Sequence, residues 1–64
     1  MNTKEILRIL KREGWKEMRR RGSHVQLKHE DKPGLLTVPH PKRDLPAGTL
    51  RSIERRSGLR LRSR

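Results

Sequence analysis

The sequence predicts an α+β fold in the order helix, strand, strand, strand, helix, with a three-stranded antiparallel sheet covered on one face by two helices. Three observations carry this. Apolar residues recur at helical spacing near each end of the chain, a central stretch alternates with period two, and turns rich in glycine or proline separate the segments.

The first helix is expected over residues 3–13. Asn2 and Glu5 stand at capping-box spacing, Ile6, Leu7, Ile9 and Leu10 form one stripe, and Gly14 occupies a C-cap position. Residues 15–21 read as a strand with poor alternation. Trp15 and Met18 have opposite parity, so both reach the core only if the strand contains a bulge or hinge. Gly22 and Ser23 mark a tight turn, and residues 24–29 then alternate cleanly. Val25 and Leu27 take one face; His24, Gln26 and Lys28 take the other, the pattern of a sheet covered on one side.

Residues 31–34, Asp-Lys-Pro-Gly, read as a turn of type II character, in which proline presets the second position and glycine supplies a positive φ at the third. Residues 35–38 are the third strand, stopped by Pro39. Pro39, Pro41 and Pro46 stiffen the connector that follows. A second helix is expected to begin near residues 44–46, with Leu50, Ile53 and either Leu45 or Ala47 on its apolar stripe and Gly58 as C-cap. Residues 1–59 are read as one domain, Leu59 folding back on the core, and residues 60–64 as a frayed basic tail.

Composition limits the function classes. With 64 residues, 28% of them apolar, the core is small. The absence of cysteine excludes disulfide staples and thiolate metal sites. No apolar run approaches the roughly 20 residues of a membrane helix, and the start MNTKEILRIL lacks the apolar centre of a signal peptide. No membrane partner and a cytoplasmic location are therefore the expectations. Eighteen Lys and Arg against seven Asp and Glu leave a net charge of +11, which calls for a polyanionic partner, most often nucleic acid. With no Phe or Tyr and a single Trp, stacking of single-stranded bases is disfavoured. Contacts to phosphates, ribose hydroxyls and helical shape fit better.

Three histidines are candidates for chemistry. His24 and His29 lie five positions apart, so one strand would point them to opposite faces, and no metal or other cofactor is expected. His29 shares parity with the apolar residues and reads as a rim residue. His40, between two prolines, either covers the sheet edge or contacts phosphate. His24 lies on the polar face beside a turn, with Gln26 and Lys28 on the same face and Arg19, Arg20 and Arg21 arriving from the neighbouring strand. Imidazole suits proton transfer near neutral pH, cations can hold a phosphodiester, and RNA brings its own nucleophile in the 2′-hydroxyl. The plain alternative is that His24 is a solvated strand residue.

The segments GSHVQLKH, LLTVPHP and GTLRSIERRSGL, with a short helix ending at Gly14 and Trp15, resemble the HicA toxins of bacterial HicAB toxin–antitoxin systems. The resemblance runs from about Thr3 to Leu59. It implies a fold like that of double-stranded RNA-binding domains, a ribonuclease that cleaves mRNA and stops translation, and a HicB-like antitoxin partner. The family's catalytic histidine, which follows a glycine–serine turn, falls on His24. Leu27 stands where phenylalanine is common, Pro39 and His40 lack the intervening residue often seen, and Glu54 and Arg56 replace the commoner leucine and glutamine.

The resulting expectation is a metal-independent toxin ribonuclease. His24 is its general base or acid, and Lys28, Arg19, Arg20, Arg21, Gln26 and His40 contact RNA. Lys28, His40 or a water is the second proton-transfer group. A non-catalytic double-stranded RNA-binding module fits the same fold and charge. So does a module whose basic sheet face docks an acidic protein, a role compatible with the first.

Overall fold

The computed structural model describes residues 2–41 and 43–61. Its elements are α1 (Thr3–Arg12), β1 (Lys16–Arg21), β2 (His24–Lys28), β3 (Leu36–Pro39) and α2 (Ala47–Ser57), with the three strands antiparallel in the order β1-β2-β3. This is the expected α+β arrangement.

Helix α1 starts where its cap dictates. The Glu5 amide donates to Asn2 Oδ1 at 2.9 Å, and the Asn2 amide donates back to Glu5 Oε1 at 3.5 Å. Ile6, Leu7 and Leu10 are buried on the sheet side, with Ile9 packed at the margin. The helix ends at Glu13, and Gly14 turns the chain with a φ of 101°. The Trp15 amide still donates to Leu10 O, so Trp15 belongs to this turn and β1 begins one residue after the expected start.

A bulge is present in β1, but it does not bring both Trp15 and Met18 to the core. Glu17 pairs with Leu27 and Arg19 with Gln26, which leaves Met18 as the extra residue on β1. Trp15 is buried, whereas Met18 is 58% exposed. The bulge also resets the parity of β1. Arg19 and Arg21 face the side of Gln26 and His24, but Arg20 pairs with Val25 and faces the helices.

Strands β2 and β3 supply Val25, Leu27, Leu36 and Val38 to the core. Between them the Lys32 amide closes a turn on His29 O, earlier than the expected turn at residues 31–34, while Gly34 does take a positive φ of 77°. Strand β3 begins at Leu36 and leaves Leu35 exposed, a shift of one residue from the expected span. Pro39 is its last residue. It is tolerated because β3 is an edge strand.

Helix α2 follows Pro46 at its N-cap and ends at Gly58 in the left-handed conformation. Ile53 is its buried anchor; Leu45 and Leu50 pack beside it, and Ala47 stays exposed.

The expected tail is corrected at Leu61. Its side chain is fully buried in the core, and its amide donates to Glu54 Oε2 at 2.6 Å. The Leu59 amide donates to Ser57 Oγ at 3.2 Å on the way back. A core this small is completed by one more leucine, and the Glu54 carboxylate compensates the backbone amide that the leucine brings with it. The remaining tail residues, 62–64, lie outside the described part of the chain. No helix among the described residues is long and apolar enough to cross a membrane.

Candidate active site

The sheet face turned away from the helices is the candidate site. Along β2 exposure alternates, so His24 and Lys28 are exposed and Gln26 is half-buried, while Val25 and Leu27 are sealed beneath. Register then places neighbours on the same face. Arg21 and Pro39 flank His24, Arg19 and Thr37 flank Gln26, and Lys16 stands opposite Lys28. Directly opposed residues have Cβ atoms about 5 Å apart, so the three rows form a continuous surface bearing Arg19, Arg21, His24, Lys16 and Lys28.

The ring of His24 is exposed and makes no hydrogen bond among the described residues. It is held from below, because its strand is pinned through Val25 and Leu27. Gln26 Oε1 is buried and has no hydrogen-bond partner among the described residues. Met18, Lys16, Lys28, Gly14 and Glu30 line a cleft of about 180 Å³ at the far end of the face.

Two of the expected site residues lie elsewhere. Arg20 is on the helix side, where its guanidinium donates to both oxygens of Glu17 at 3.4 Å. That pairing, reinforced by Lys11 at 3.4 Å, holds the Glu17 carboxyl below its usual range, the Arg20 hydrogen bond being the main cause. His40 also turns to the helix side. Its Nδ1 shares a 2.8 Å hydrogen bond with the hydroxyl of Thr3, itself buried, and its amide donates to Ser23 O. His40 therefore braces the β1–β2 turn that precedes His24, with its ring on the face opposite that of His24.

His29 is a clasp. The Asp31 amide donates to Nδ1 at 3.0 Å, so the ring proton resides on Nε2, which donates to Glu13 O at 3.0 Å. The ring also meets Trp15 edge-on, with centroids 5.3 Å apart. Among the described residues no three His, Asp or Glu side chains converge on one point that could hold a metal ion.

Sequence reasoning missed Thr37 and Lys16 on the open face. The parity of Leu36 and Val38 could have found Thr37; Lys16 required the cross-strand register.

Residues 3–59 match the family described as the HicA toxin of bacterial toxin–antitoxin systems. The chain belongs to the HicA toxin family. No curated protein matches it. Among solved structures, a HicA3 and HicB3 toxin–antitoxin complex contains a chain of 29% identity that superposes with a TM-score of 0.82, over 95% of this chain and 98% of that one. This HicA-family chain thus shares the overall architecture of that relative.

Proposed function

We propose that this HicA-family chain is a toxin endoribonuclease that cleaves mRNA without a metal ion, with His24 as the general acid–base group. The single observation that carries the reading is the placement of His24. It is an exposed, unengaged imidazole on a rigid strand, opposite Arg21 and one row from Arg19. Arg21 brings a guanidinium, which donates hydrogen bonds but has no acceptor, so it holds phosphoryl oxygens and does not move protons. His24 takes the proton of the ribose 2′-hydroxyl as the 2′-oxygen bonds to phosphorus. The bond to the leaving 5′-oxygen breaks, and that oxygen takes a proton in turn.

The second proton is assigned to water. Lys28 is four residues along the strand from His24, about 13 Å at the usual rise, and so serves a neighbouring phosphate. The ring of His40 is on the other face, tied to Thr3. In the row between the two phosphate sites, exposed Thr37 is the candidate contact for a ribose hydroxyl, and half-buried Gln26 lies beside it. A HicB-like antitoxin is the proposed protein partner. A chain of similar architecture occurs in a toxin–antitoxin complex, and an acidic partner lying over the open face would cover His24 and neutralise its cations.

Incubation of the purified protein with mRNA in EDTA tests this. The expected result is cleavage that falls about 10²- to 10⁴-fold in His24→Ala with RNA binding retained. Cleavage unchanged in that variant removes His24 from the mechanism, and a strict requirement for added metal removes the metal-free pathway. Tight, salt-dependent binding with no turnover identifies a binding module instead.

A further inference from the structure

A second cationic surface lies on the opposite side of the sheet. Lys4, Arg8 and Lys11 follow one another at intervals of four and three residues, so they share one face of α1. The structure brings that face against the helix-side surface of β1. Lys4, Leu7, Arg8, Lys11, Arg20 and His40 together line an open groove of about 370 Å³. Every residue of β1 is exposed, including those on its helix side, so α1 does not close over this edge strand.

Arginines on an edge strand have a plain use, since charge discourages edge-to-edge aggregation. That accounts for β1. It does not account for three cations of α1 converging with Arg20 on the same groove. Their mutual repulsion is relieved by the Glu17 carboxylate, which bridges Lys11 and Arg20 at 3.4 Å and whose side chain is 27% exposed. Glu17 does not itself line the groove, but its pairing shows that two of the lining cations, Lys11 and Arg20, are placed to hold an anionic oxygen together.

We propose that this groove is a second binding track for the RNA phosphate backbone, continuous with the His24 face around the β1 edge. The proposal rests on the reading that the chain acts on RNA, but not on His24 being catalytic. The continuity is in the strand itself. Arg20 points into the groove, whereas its neighbours Arg19 and Arg21 point to the open face, so adjacent residues of one strand present cations to both sides. A backbone held by Arg8, Lys4 and Arg20 passes the edge and arrives at Arg21 and His24. Phosphate entering the groove displaces the Glu17 carboxylate from Arg20 and Lys11.

The test uses a 2′-O-methyl RNA of about 20 nucleotides, a length exceeding the 4–16 of a single small binding fold, which lacks the attacking hydroxyl and so reports binding alone. Lys4→Gln/Arg8→Gln alters two exposed positions, and circular dichroism confirms its fold. The expected result is weaker binding, with a slope of log affinity against log salt reduced by about 1.4, or 0.7 for each single-strand phosphate that is no longer neutralised. Glu17→Gln, which removes the competing charge, is expected to tighten binding about threefold or more. A dinucleotide substrate, too short to reach the groove, is expected to be cleaved by the double variant as by the parent. An unchanged salt slope overturns the track, as does an equal loss with the dinucleotide. If the 2′-O-methyl RNA is bound with the expected slopes but neither the dinucleotide nor unmodified mRNA is cut, the track stands and the ribonuclease reading falls.

Discussion

Gly14→Ala isolates the device that fixes the end of β2 to the end of α1. Gly14 has a φ of 101°, and a Cβ there would lie 2.7 Å from His29 Nε2. Two costs follow. The backbone conformation costs an L-residue about 1–3 kcal/mol. The imidazole must also retreat, breaking the Nε2–H donation to Glu13 O, a loss of about 0.5–1.5 kcal/mol. The sum is about 1.5–4.5 kcal/mol. A chain of this length has a total stability of about 3–10 kcal/mol, so the substitution removes a large share of it. Denaturation followed by circular dichroism should show Tm lower by about 6–36 °C, at 4–8 °C per kcal/mol.

A double-mutant cycle separates the two costs. In a His29→Ala background the new Cβ has room, so Gly14→Ala should cost only its backbone part, with a coupling of about 0.5–1.5 kcal/mol. Gly22→Ala is the control. Gly22 has a φ of 54° with nothing within 4 Å of a Cβ, so its cost should not change when His29 is removed. Strict additivity of Gly14→Ala with His29→Ala would refute the clasp, and so would a Gly14→Ala cost below about 0.5 kcal/mol, the scale of ordinary surface changes.

Other outcomes test other parts of the structure. Leu61→Ala should cost about 2–5 kcal/mol in urea denaturation, because Leu61 is fully buried; a near-zero cost would return it to the tail. Arg21→Gln should slow RNA cleavage at saturating substrate more than Arg20→Gln, since Arg21 alone of the two shares the face of His24; equal kcat losses would contradict that division. Asn2→Ala should cost about 1 kcal/mol by loss of the cap, measured by thermal melting. The Glu17 carboxyl is lowered in the folded chain, chiefly by the Arg20 hydrogen bond, so its stabilising effect is present above the ordinary glutamate range and is lost as pH falls through the lowered value. An NMR titration of the Glu17 side chain should therefore show a midpoint below that of glutamate in the unfolded chain, and Arg20→Gln should raise it.

Local rules made much of the fold legible. The Asn2–Glu5 cap, the stripe of Ile6, Leu7 and Leu10, the alternation of Val25 and Leu27, and the C-cap at Gly58 each depend on residues within a few positions of one another. The same short-range logic put His24, Gln26 and Lys28 on one face. The parity clash of Trp15 and Met18 called for a bulge or hinge only if both were buried; a bulge is present at Met18, but Met18 is exposed and Trp15 precedes the strand.

What was not legible depends on contacts distant in sequence. Arg19, Arg20 and Arg21 are equivalent as letters, and the register of β1 against β2 sends Arg20 to the other side. Leu61 sits in a basic, tail-like stretch and becomes core because Glu54 meets its amide and the core has space for it. His29 and His40 could each have been a ligand. One is committed to Glu13, Asp31 and Trp15, and the other to Thr3, partners up to 37 positions away. Helical and strand periodicity are properties of the local backbone, so they survive in a linear reading. Register, and the partner of each polar group, come from packing elements against one another, and that assignment left His24 exposed on the open face while binding His29 and His40 into the scaffold.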